Sequence, residues 1–575
     1  MIKYLMHQKN PASHYVYVDM LVDEVSQDKL QLQLPAWRPG RYELGNFAKN
    51  IKRVDVFNEK NEALSYHKLN KDLWEVDTKG CSSIKVTYSY YSAELNAGAC
   101  FADTTQLYMN PVHCCMYVVG RMNEEHRVEL SIPENYKIVC SLKQQGNTLI
   151  AKNFDELVDS PFVASQKIQS DVYEVNGIKF HLHFIGECKP DFKLIKYHFS
   201  AFTQKQIEFW NDFTTDEYHF IFQVLPFKFY HGVEHVKNTV IAIGPGYAIN
   251  TGKTYEDVLG VSCHELFHSW NIKTIRPVEM MPYDYTKENY AKTGYVYEGI
   301  TTYYGDKLLL SSNIFTLTQY FETLQERLTK HFHNFGRYNL SVADSSWETW
   351  LDGYMPGAPY RKTNIYDEGS LIAFMLDVKI LQATQNKKAL RDVCVLLYER
   401  FGKKGIGYKE NDIIELANEI SGQDFTRFFK TFVYSPQDFE AELKPCFDYL
   451  GIDFIKQANA HDSEHKYGFK VMDHGLHSKV TLVAPYSPAW KAGLFAGDEI
   501  IAVNGIFLKN NFNNWLHYFG DKEEIILSVN SADQMKTIFL QMDKKGNTYF
   551  FNPVLKLKPD AENSSKVNFE AWKAL

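Results

Sequence analysis

This 575-residue chain has no block of basic residues, no internal repeat, no low-complexity tract and no long uninterrupted apolar run. Without a basic patch, and with a formal charge of −8, no nucleic-acid partner is expected. A helix that spans a membrane needs about 18 consecutive apolar residues, so no membrane span is expected either. The opening MIKYLMHQKNPASHY lacks the apolar stretch of a secretory signal, which predicts a cytoplasmic location. Cysteine is sparse. The nine thiols are odd in number and scattered through a long chain, which argues against a disulfide framework and for small buried apolar side chains.

What is present is ordinary globular composition: 45% apolar and 23% charged residues. The length exceeds what one hydrophobic core supports, so three or four domains are expected. Aromatics reach 15%, with 37 Tyr and 39 Phe, and such side chains pack well on broad pleated sheets. From the start to about Ser165, runs such as VYVDMLV, KLQLQLP and SIKVTYSYY alternate apolar and polar residues between turn signals. That pattern predicts an antiparallel β-domain. Strand-like runs continue through IKFHLHFIG, YHFIFQVLPF and TVIAIG. From Thr254 to about Phe439 the chain reads as helices, and a further compact unit follows at roughly 456–543.

HELFH, His264–His268, lies in TYEDVLGVSCHELFHSW, where Thr254 and the acidic residues after it predict a helix start. Residues four apart share one helical face, so these two imidazoles can hold one tetrahedral zinc. Glu265, beside the first of them, can act as general base toward the attacking water and return the proton to the leaving amine. By chance the motif arises in a chain of this composition with a probability of roughly 0.04, and it then marks nothing but a helix. A third ligand separates the two readings, because hydrolytic zinc keeps one coordination position open. Glu298 lies 30 residues past His268 (298 − 268), early in YVYEGITTYYGDKLLL, which reads as a second helix. Glu279 and Glu288 are its rivals, but both fall in the connecting segment. One zinc per chain, on His264, His268 and Glu298, is the resulting expectation. Cys263 points about 100° from His264 on a helix and is assigned to the core.

HELFHSWN followed by YEGITTYY resembles the gluzincin metallopeptidases, specifically the PDZ-containing glycyl aminopeptidase family, distant relatives of aminopeptidase N. The resemblance runs almost end to end: PAWRPGRYELGNFAKNI (35–51) is similar to that family's β-domain and SPAWKAGLFAGDEIIAVNG (487–505) to its PDZ module. It implies a multidomain α+β fold. An N-terminal antiparallel β-domain would occupy 1–165 and a thermolysin-like catalytic domain 166–312, with a helical extension at 313–450. A PDZ-like domain would follow at 455–545 and a loosely held C-terminal tail at 546–575. HGVEH (231–235) is similar to the segment that binds the substrate amino terminus, which implies substrate-binding roles for Glu234 and Gly232. YDEGSLIAFMLD is similar to the segment carrying a catalytic tyrosine, which implies that Tyr366 stabilises the oxyanion. This chain departs from that pattern by carrying Glu368 where relatives usually have Lys. Read without the resemblance, Glu234 is a solvated loop acid and Tyr366 one tyrosine among 37.

The implied activity is that of a zinc-dependent aminopeptidase acting on peptides with a free N-terminus and favouring small first residues such as Gly or Ala. Two alternatives stand beside it: a zinc endopeptidase with PDZ-assisted substrate capture, and a non-catalytic PDZ-bearing binding protein. In the PDZ-like unit, YGFKV from Tyr467 is the segment whose backbone amides would receive a peptide C-terminus.

Overall fold

The computed structural model describes residues 1–574 except 356, 521, 543–545 and 547. Alternation in the N-terminal region becomes sheet: Val16, Val18, Met20 and Val22 point inward from Tyr15–Asp23 while their neighbours face out. That strand lies centrally in a seven-stranded sheet, and two four-stranded sheets complete the domain. One pairing departs from the expected antiparallel scheme. Ile2–His7 runs parallel to His126–Ser131, which a long intervening connection permits.

The catalytic sheet has the order Ile168–Val175, Ile178–Ile185, Glu217–Val224, Asn238–Gly244, Phe229–Glu234. Its three central strands are parallel, and the two outer ones are antiparallel to their neighbours. Asn238–Gly244 is buried along its whole length, whereas Ile178–Ile185 and Glu217–Val224 are apolar on one face and carry His181, His183, His219 and Gln223 on the other. Phe180, Phe184, Phe220 and Phe222 pack on the helices Phe192–Trp210 and Gly252–Phe267. From the other face, Ile185, Ile221, Val240 and Ala242 meet Tyr108, Val139 and Val163 of the N-terminal domain.

The helical part follows, and its best-formed start is at Leu317–His333, where Thr316 and Gln319 cap one another reciprocally. Ile365–Ala383 is apolar on nearly every side and runs through the middle of this region. The PDZ unit packs Phe469, Val480, Ile500, Phe512, Leu516 and Leu527 into its own core. Its strand Phe469–His474 pairs, among the described residues, on one side only, with His477–Val483. No helix among the described residues is long and apolar enough to cross a membrane. All nine cysteines are free thiols.

Two local expectations are corrected. The HELFH helix begins at Gly252 with Thr251 as its cap residue, not at Thr254. The C-terminal tail is not loosely held. Asn552–Leu557 pairs with Ile452–Gln457, and the helix Asn563–Ala574 buries Trp572 completely, its indole donating to Tyr303 at 2.8 Å. The domain limit expected at 545 falls outside the described residues.

Candidate metal and peptide site

The HELFH helix presents both imidazoles from one face, with the Nε2 atoms of His264 and His268 3.0 Å apart. His268 is oriented from behind, where its Nδ1 meets the Asn271 carbonyl at 2.6 Å; this aims Nε2 at His264 and Glu298. Oε2 of Glu298 lies 3.7 Å from His264 and 3.4 Å from His268. These three side chains form a group able to hold one cation. Glu279 and Glu288 are not part of it.

Glu298 does not sit on a regular helix. Tyr295–Ile300 is a wider π-helical turn leading into the helix Thr301–Ser311, a feature common where a side chain must be aimed at a site. The turn lies directly against Ile365–Ala383, with Gly299 and Gly369 touching backbone to backbone. A Cβ on either would overlap the other's main chain. These two glycines let the Glu298 turn and the helix that starts beside Tyr366 approach closely.

Glu265 is 5% exposed and its Oε2 has no hydrogen-bond partner. Burial pushes its carboxyl well above the usual range, as suits a proton acceptor. The edge strand Phe229–Glu234 passes over it so tightly that a Cβ on Gly232 would overlap its carboxylate. At the end of that strand Glu234 is 4% exposed with Oε1 unpartnered. It forms a second buried group with Glu265 and His268. Tyr366 is partly buried, its ring centroid 6.5 Å from that of His264 and its hydroxyl 3.3 Å from that of Tyr354. Burial and the Glu298 carboxylate push its phenol well above the ordinary value, so it stays a proton donor.

Glu368, the departure from the family pattern, has its own partner. Its carboxylate meets Nδ1 of buried His331 at 2.8 and 2.9 Å, on a different neighbour from that of Tyr366. Cys263, as expected, lies in the core, with its sulfur 3.2 Å from the amide nitrogen of Gln206.

Three residues that sequence reasoning passed over come from the N-terminal domain. The segment Ala36–Tyr42 is pinned to the catalytic unit by amides of Ala36 and Trp37 on the Tyr285 carbonyl, and by Trp37 and Tyr42 packing with Trp350 and Tyr297. Tyr42 donates to Oε1 of Glu298 at 2.5 Å. Gly40, at φ +82, lays its backbone on the Glu234 carboxylate. Arg38 is 3% exposed; burial lowers its pKa, and Glu234 is the strongest influence in the opposite direction. The one sequence signal was the PG turn between two arginines in a stretch otherwise apolar and aromatic.

The donor set fits a zinc ion. Oε2 of Glu298 is buried with no hydrogen-bond partner, which a group this costly to desolvate does not tolerate without a cation. With no cation, burial disfavours a charged His268, yet Glu298 outweighs it and lifts the imidazolium to about 10. Burial likewise opposes the Glu298 carboxylate, and His268 holds it down at about 2. A divalent ion satisfies the same atoms by displacing that proton. Two nitrogens and one oxygen are the donor set that a hydrolytic zinc would take from a protein.

Three families match the chain: Peptidase M61 N-terminal domain over residues 3–166, M61 glycyl aminopeptidase over 257–372, and PDZ domain over 479–509. Among solved structures, an aminopeptidase N family protein from Idiomarina loihiensis is similar over 100% of both chains, with a TM-score of 0.91 and 24% identity. It has the same fold throughout. An M1 zinc metallopeptidase from Deinococcus radiodurans is more distant: TM-score 0.47 and 11% identity, covering 76% of this chain and 94% of that one. No curated protein matches the chain in sequence.

Proposed function

We propose, for a chain that belongs to the M61 glycyl aminopeptidase family and is a metallo-aminopeptidase, that it removes a small first residue, Gly or Ala, from peptides with a free N-terminus. The observation that carries this reading is the buried, unpartnered Glu234 beside Glu265 and the His264–His268–Glu298 group. His264, His268 and Glu298 would hold a zinc ion, which would supply a Lewis acid for the scissile carbonyl and lower the pKa of a nearby water. Glu265 takes the proton of that water and passes it to the leaving amine, a role that its burial supports. Glu234 pairs with the α-ammonium of the substrate and so counts one residue from the chain end. Arg38, buried beside it, is a cation whose nearest opposing charge is the Glu234 carboxylate. Tyr366, neutral and close to His264, donates to the oxyanion. Preference for Gly or Ala has structural support in the Gly40 backbone lying on Glu234, which leaves little room beside the bound amine.

The test uses Gly- and Ala-p-nitroanilide, with their N-acetylated forms, on wild type and Glu265→Gln. Wild type cleaves the free amines only, loses activity with a chelator and regains it with zinc. Glu265→Gln keeps the metal and loses about 10²–10⁴-fold in rate. Cleavage of free and acetylated substrates at equal rates would remove Glu234 from its role. The single-sided strand Phe469–His474 supports a further reading, capture of a peptide C-terminus by strand addition at the PDZ unit.

A further inference from the structure

A second group of metal-ligating side chains lies away from HELFH, on the opposite face of the catalytic sheet. Ile178–Ile185 and Glu217–Val224 run parallel with His181 opposite His219, and His183 follows two residues along. Side chains two apart share a face. These histidines therefore project on the side of Ile185 and Ile221, the face that packs on the N-terminal domain. Each imidazole offers a nitrogen within 4.8 Å of the other two. Nε2 of His183 and Nδ1 of His219 are 3.2 Å apart, close to the 3.0 Å between the two HELFH nitrogens. Ligand nitrogens at about 2.0–2.1 Å from a tetrahedral ion stand about 3.3 Å from each other.

The surroundings are those of ligands rather than of core histidines. His183 and His219 are each 8% exposed, and Nε2 of His219 is buried without a hydrogen-bond partner. Ser170 meets Nδ1 of His183 at 2.8 Å, which holds the ring with its Nε2 turned toward His219. Glu217 lies 3.8 Å from Nε2 of His219 and 3.3 Å from Nε2 of His181, so a carboxylate stands behind the imidazoles. His181 and Glu217 are partly exposed and give an ion a way in from solvent.

We propose that His181, His183 and His219 form a second cation site, distinct from the HELFH site, that takes a divalent transition ion of the zinc class. Three imidazoles suit zinc, cobalt, nickel or copper and not calcium or magnesium. Bound there, the ion ties together two central strands of the catalytic sheet on the face that meets the N-terminal domain.

The test is metal stoichiometry on the full-length protein, stripped with a chelator, refilled with Zn²⁺ and freed of excess. Wild type retains two equivalents per chain. His183→Gln and the milder, half-buried His181→Gln each retain one, with unchanged Ala-p-nitroanilide hydrolysis to show that both fold. His264→Gln also retains one, but is inactive. A wild type with a single equivalent that His264→Gln removes overturns the proposal. So does a second equivalent that persists in both His183→Gln and His181→Gln. A HELFH site that holds no zinc would show instead as unchanged stoichiometry in His264→Gln, so the two readings fail separately.

Discussion

Tyr42 of the N-terminal domain donates its hydroxyl hydrogen to Glu298 of the catalytic domain at 2.5 Å, across 256 residues of sequence. One oxygen of the Glu298 carboxylate is thereby held, and the other faces the two imidazoles. Partners of metal ligands orient them, and removing one typically costs about 10–100-fold in metal affinity. Tyr42→Phe is therefore expected to bind zinc about 10–100-fold more weakly while turnover at saturating zinc changes little. Competition against a chromogenic chelator measures the first quantity, and rates at excess zinc the second. An unchanged zinc affinity would reduce Tyr42 to a packing residue.

Glu234 carries the expectation of exopeptidase specificity. A charge-assisted hydrogen bond contributes about 1.5–3 kcal/mol, which is roughly 10–150-fold in kcat/KM. Glu234→Gln should lower kcat/KM for Ala-p-nitroanilide by that factor and leave zinc content intact. Buried Arg38 then loses its balancing charge, so thermal stability should also fall. If the free-amine substrate were turned over as well as before, the amino group would be bound elsewhere.

Tyr366 has a narrower expected effect. Loss of one oxyanion donor costs about 10²–10³-fold in kcat. Tyr366→Phe removes only the hydroxyl, which lies 3.3 Å from the Tyr354 hydroxyl, so KM and stability should stay near wild type. A change in KM with kcat preserved would instead make Tyr366 a substrate-binding residue.

How much of this was legible in the sequence depends on distance along the chain. The HELFH pair is local, so helical periodicity alone places both imidazoles on one face. Glu298 required a spacing argument, and its π-helical turn was invisible because a single widened turn leaves the apolar pattern of YVYEGITTYY unaltered. The helix start was misplaced because Thr251 and Thr254 are both plausible caps, and only the backbone distinguishes them. Arg38, Gly40 and Tyr42 were read as part of a β-domain, since nothing local shows that their segment crosses to another domain's site. The C-terminal helix was masked by composition: DAENSSKV is polar, while the anchoring Phe569 and Trp572 are too few to set a period.

The PDZ unit meets the helical part through His333, which titrates in an accessible range. Its Nε2 donates to the Phe551 carbonyl at 2.8 Å, and its Nδ1 accepts from the Lys470 ammonium at 2.9 Å. The second bond requires a neutral ring, because a proton on Nδ1 would face Lys470 cation to cation. Burial and Lys470 accordingly hold His333 down at about 4, below the ordinary value near 6.5. The folded state thus resists a proton that the unfolded chain accepts, so stability from this contact is full above about 6.5 and falls as pH drops toward 4. Melting temperature should decline over that window more steeply in wild type than in His333→Gln, which cannot titrate. Carboxylates protonate in the same range in both proteins, so the difference between the two curves isolates His333. Parallel curves from pH 7 to 4 would mean that the imidazole is not held neutral by Lys470, and that this contact does not respond to pH.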